Sequence, residues 1–114
     1  MGEGGFGRSS LWLIFLDEDD RLQPPIMPID DLPALPDDRV IANLARILGD
    51  LHEVGDFASA AMLLSRPGPA DMTEADRRWA RALRAGLGGI SPWPMHLATR
   101  DRVQVFAPDD LIAA

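Results

Sequence analysis

A chain of 114 residues with no cysteine and a formal net charge of −7 is the size of one domain, and it can form neither a disulfide scaffold nor a Cys-based zinc site. Its 18 acidic side chains outnumber 11 basic ones, all of them arginine, which disfavours nucleic-acid phosphates and anionic membranes as partners. Arginine without lysine, together with abundant Ala, Gly and Pro, fits a GC-rich bacterial coding sequence.

The start, residues 1–10, is Gly-rich and carries Glu3 and Arg8. It is expected to be a flexible tail, without the basic start, apolar run and cleavage site of a signal peptide. Residues 11–114 then form a single α/β domain. The apolar run Leu-Trp-Leu-Ile-Phe-Leu over residues 11–16 has the length and aromatic content of a buried strand, and is far short of the ~20 residues that span a bilayer. A cytoplasmic location is expected. The acidic stretch Asp17-Glu18-Asp19-Asp20 is a hairpin turn, and residues 22–29 form a second strand antiparallel to the first. Pro24, Pro25 and Pro28 cannot donate to a ladder, so this strand is expected to lie at a sheet edge or to be irregular. Residues 30–36 are a loop.

Val40, Ile41, Leu44, Ile47, Leu48 and Leu51 recur at the helical period, with Asp37 or Asp38 as cap and Gly55 as stop. Residues 57–64, apolar except for Ser59, are expected to be a central strand buried on both faces. A Pro/Gly loop over residues 65–72 leads to Thr73, which opens a second helix lined on one side by Trp79, Leu83 and Leu87 and ended by Gly86, Gly88 and Gly89. Two strands, 93–97 and 103–106, flank the turn Thr99-Arg100-Asp101-Arg102, and Asp109 caps a short final turn. The order β-β-α-β-α-β-β implies a mixed sheet with helices packed on it.

This order, with several residues on it, resembles the RadC-like branch of the JAB/MPN (JAMM) metallo-isopeptidase superfamily over about residues 11–111. Leu-Trp-Leu-Ile-Phe-Leu-Asp-Glu-Asp-Asp-Arg-Leu resembles the opening hairpin of that family. Leu64-Ser65-Arg66-Pro67-Gly68-Pro69 and then Thr73-Glu74-Ala75-Asp76 stand where the family carries H-x-H-P-S-G and S-x-x-D. Trp93-Pro94-Met95-His96-Leu97 resembles the strand after its second helix. In the family two histidines and an aspartate bind zinc, an upstream glutamate is the general base, and the serine helps hold the oxyanion. Here Leu64 and Arg66 take the places of the histidines, Asp76 is kept, and Thr73 stands for the serine. Glu3 is the only upstream candidate for the base. One carboxylate cannot hold zinc, which needs three protein ligands in a catalytic site. The resemblance therefore implies a degenerate, metal-free domain, with no catalytic residue, metal ligand or cofactor.

Read from the residues alone, Thr73-x-x-Asp76 is a capping box, which is compatible with its being a relic of a metal site. His52 lies near a helix end and His96 on a strand, both read as structural or surface groups. The turn at residues 17–20 lacks the alternating ligands and glycine of a calcium loop. Arg77, Arg78, Arg81 and Arg84 make one side of the second helix basic, either as a solvent face or as a docking face for an acidic partner. The leading expectation is a non-catalytic domain that acts through an unidentified protein partner or as an accessory subunit, as monomer or homodimer. The alternative is a hydrolase with a site around Arg66, Thr73 and His96. Pairing of chains along the edge at residues 22–29 is a third possibility. Two structural expectations follow. Leu64 is buried, and Arg66 forms an ion pair with Asp76 that supplies the charge a metal would have supplied.

Overall fold

The computed structural model describes residues 9–107. Its elements are β1 (Ser10–Leu16), β2 (Leu22–Ile29), α1 (Asp38–Glu53), β3 (Ser59–Ser65), α2 (Glu74–Leu87), β4 (His96–Ala98) and β5 (Val103–Val105). They build an α+β domain with a five-stranded mixed sheet in the order β2-β1-β3-β4-β5. β1 runs antiparallel to both β2 and β3, β3 is parallel to β4, and β5 returns antiparallel beside β4. The parallel β3–β4 pair needs a crossover, and α2 provides it. Ser10 already belongs to β1 and is buried, so the strand begins inside the expected tail. The rest of that tail up to residue 8, with Glu3, and the final turn at Asp109 lie outside the described residues.

β2 lies at an edge, as its prolines require: Pro24, Pro25 and Pro28 have no N–H to offer a further strand. Its register against β1 shifts between Leu13 and Phe15. The last two strands are shorter than the sequence implies. Pro94 precedes β4, which begins only at His96, and β5 ends at Val105, although Phe106 N still donates to Met95 O in the same register.

Asp37 caps α1 by accepting from Arg39 N at 2.8 Å, and Gly55, at φ +86°, takes the left-handed conformation that ends the helix. Thr73 and Asp76 form a reciprocal capping box on α2, as the spacing predicts. Gly86 does not end α2 but lies in its last turn, where a Cβ would come within 2.6 Å of Ile41 Cγ2. The glycine allows the two helices to approach.

The core lies between these helices and one face of the sheet. Leu11, Leu13 and Phe15 of β1 pair across the ladder with Leu64, Met62 and Ala60 of β3, so all six share a face. Leu48 of α1 and Trp79, Ala80, Leu83 and Leu87 of α2 complete the same buried cluster. This corrects the expectation that the central strand is buried on both faces. The alternate positions Ser59, Ala61, Leu63 and Ser65 are only half-buried, because both helices pack on the opposite side. No described helix is long and apolar enough to cross a membrane.

Candidate functional site

β3 ends at Ser65, and the chain turns through Pro67, Gly68 and Pro69 before entering α2. Gly68 takes φ +96°, a left-handed conformation that closes this turn tightly on the side chain of Arg66. Arg66 then reaches the first turn of α2, as expected. Its Nε donates to Asp76 Oδ1 and its Nη2 to Asp76 Oδ2, both at 2.8 Å, the bidentate fork that suits a guanidinium to a carboxylate. The other three N–H groups are also spent. Nη1 donates to Pro67 O and Pro69 O at 3.0 and 2.9 Å, and Nη2 donates to Asp71 O at 2.8 Å. A guanidinium has five N–H donors, and all are used.

Asp76 is equally committed. Oδ2 also accepts from Thr73 N at 2.8 Å, and the Thr73 hydroxyl accepts from Asp76 N at 3.2 Å. The two side chains are 15% and 8% exposed, so the pair is largely withdrawn from water. Burial pushes the Asp76 carboxyl up. The bonds from Arg66 and from the Thr73 backbone outweigh it and hold the carboxyl below its ordinary value. The bond to Asp76 raises Arg66 in turn, against the opposing effect of its own burial. Such a carboxylate is a poor general base, since three of its four lone-pair sites are occupied and its proton affinity is reduced.

The pair lines a cavity of about 240 Å³. Leu64, Leu97 and Trp79 line it from the sheet and α2, and Leu32, Pro33 and Ala34 close it from the loop after β2. Trp79 holds that loop in place, since its indole N–H donates to Pro33 O at 3.0 Å. Leu64 is buried, as expected at the strand end.

His96 does not reach this cavity. Leu97 lines it, and alternation along β4 turns the adjacent His96 to the opposite face, in register with Leu63 and Val105. The three residues of the hydrolase alternative are therefore not brought together: Arg66 and Thr73 share one site, and His96 lies across the sheet. His52 contacts Ala58 O through Nε2 at 3.1 Å and lies against Phe57, an arrangement that anchors the end of α1. In the acidic turn, Asp17 Oδ1 accepts from Asp19 N and Arg21 N, and Asp20 is left-handed at φ +62°. Among the described residues, no three His, Asp or Glu side chains are grouped so as to hold a metal ion.

On α2, Arg81 Nη2 pairs with Glu74 Oε2 at 2.7 Å, and Arg78 lies 3.8 Å from the same oxygen. Glu74 is held below its usual range by the bond from Arg81. The basic side Arg77, Arg78, Arg81 and Arg84 is thus partly neutralised within its own helix, which weakens it as an anion-docking face. The carbonyls of Pro67, Pro69 and Asp71 escaped the sequence reading because a backbone acceptor leaves no side-chain signature. The density of proline and glycine over residues 67–69 was the available sign of a loop tight enough to encircle a guanidinium. No protein-family model matches the chain, and no curated protein matches it.

Proposed function

We propose that this chain is a non-catalytic, metal-free JAB/MPN-like domain of cytoplasmic, bacterial type, acting through a protein partner or as an accessory subunit. The observation that carries the reading is the saturated Arg66–Asp76 pair. The carboxylate that the resemblance assigns to a metal is bonded at both oxygens by a side-chain cation that has no donor left. The residues present do not fit a zinc ion, because Leu64 and Arg66 stand at the two imidazole positions and neither is a zinc ligand. The cavity beside the pair has largely apolar walls, of a size to accept one anchoring side chain of a partner, the usual form of a protein–protein hot spot.

The hydrolase alternative is weakened, since His96 faces away and the Asp76 carboxylate is tied up in a bidentate ion pair and a helix cap. Elemental analysis of protein purified without chelator from zinc-supplemented cells tests the proposal. The expected content is far below one zinc per chain, and stoichiometric zinc contradicts it. The Leu64→His variant alone gains no micromolar zinc affinity in a titration, because a third ligand is still missing. Affinity capture from the native host then identifies the partner.

A further inference from the structure

The face of the sheet opposite the helices is built to be covered. None of the five strands contains an Asp, Glu or Arg, although the chain carries 29 such side chains. One outward row crosses four strands as Trp12, Leu63, His96 and Val105, and the next places Ile14 beside Ala61. At the β5 end the face is fully open, with Val103 64% and Val105 50% exposed. Two indoles bond to hydroxyls on it: Trp12 and Trp93 donate to Ser65 Oγ and Ser59 Oγ, both at 2.9 Å. A sheet with one face in water normally alternates apolar inside with polar outside. A mostly apolar face whose strands carry no Asp, Glu or Arg marks an interaction surface.

We propose that a second copy of this chain covers this face, sheet against sheet, in a two-fold homodimer. Charge placement argues for a self-partner. Register puts the acidic turn, residues 17–20, beyond Leu16 and Leu22 at the β1–β2 corner. It puts Arg100 and Arg102 beyond Ala98 and Val103 at the β4–β5 corner, at the other end of the strands and the other side of the sheet. Asp101 lies between the two arginines and leaves that corner net positive. A two-fold axis along the remaining diagonal lays each acidic corner over the arginine corner of the other copy. The strands then cross at nearly 90°, one of the two ways in which sheets pack. A charge-free centre also lets two acidic chains meet without burying like charges.

Extension of the sheet edge is the weaker route to self-association. Three prolines blunt β2, and β5 has only three residues. The strand footprint, roughly 20 Å by 20 Å, buries on the order of 1,000 Å² over both copies, the low end of specific interfaces. The dimer should therefore dissociate on dilution. This inference does not depend on the reading of the Arg66 site.

Sedimentation velocity of the full chain is the test. At about 100 µM, above a micromolar dissociation constant, the expected mass is that of two 12.4 kDa chains. Leu63→Asp, at the centre of the face, should weaken association by at least about a hundredfold while leaving the far-UV circular dichroism unchanged. If that variant does not fold, Val105→Asp decides, because the native side chain is half in water and does not support the core. Arg100→Glu with Arg102→Glu should weaken the dimer less. A wild-type mass of one chain at this concentration overturns the proposal, as does a dimer that survives the folded face variants. Restored association on mixing the doubly reversed arginine variant with one whose acidic turn is reversed supports the corner pairing.

Discussion

Two acidic regions of this protein have similar local chemistry and opposite surroundings. Asp17 follows β1 and Asp76 opens α2, and each carboxylate accepts backbone N–H groups of its own turn. At Asp17 the bonds stay within four residues, in a turn whose acidic neighbours face water. At Asp76 the carboxylate is buried and tied to a guanidinium ten residues away, which is itself bound to three carbonyls of the intervening loop. The first arrangement shapes a turn, and the second joins a strand end, a loop and a helix start. The difference teaches that burial and a distant partner, rather than acidity, set how much a carboxylate contributes.

The largest effects are expected at the buried region. Arg66→Met strands the Asp76 charge and should cost about 3–5 kcal/mol in urea unfolding, the range for breaking a buried pair. Trp79→Ala should cost a similar amount, about 3–5 kcal/mol, through a core cavity and the loss of the bond to Pro33. An unchanged midpoint in either variant breaks the comparison.

Next in size is the dependence on pH. The folded Asp76 carboxyl titrates below its unfolded value, so the unfolded state binds more protons as the pH falls through that window. Its contribution is therefore fully present above the unfolded pKa of about 4 and is lost as the pH drops through the lower folded value. Asp76→Asn should flatten this part of the stability profile. Smaller still, Thr73→Ala removes the cap and should cost about 1 kcal/mol. Asp17→Ala should cost least, about 0.5–1 kcal/mol for solvent-screened turn bonds. Equal losses at Asp17 and Asp76 would remove the distinction between the two regions.

Much of this architecture is legible in the residues. The prolines at positions 24, 25 and 28 place β2 at an edge because a missing donor is a chemical fact independent of context. Apolar spacing gives both helices, and the capping signals at Asp37 and Thr73 place their starts. The Arg66–Asp76 pair follows from the resemblance, which sets Arg66 at the second histidine position and Asp76 at the helix start facing that loop. The one-sided packing of the sheet is not readable. Ser59, Ala61 and Ser65 are small and neutral enough for either a helix or solvent to lie over them, so β3 reads as buried on both faces. His96 was misplaced for a related reason: three residues of β4 carry no periodicity, and a one-residue change of phase turns a side chain across the sheet.

The central claim is that Arg66 and Asp76 act as one closed unit, with neither group available for chemistry. A double-mutant cycle in urea, using Arg66→Met, Asp76→Asn and the double variant, tests it most directly. The account predicts a coupling of about 2–3 kcal/mol, with the double variant more stable than the sum of the single losses implies. A coupling below about 0.5 kcal/mol would show two independent groups and contradict it.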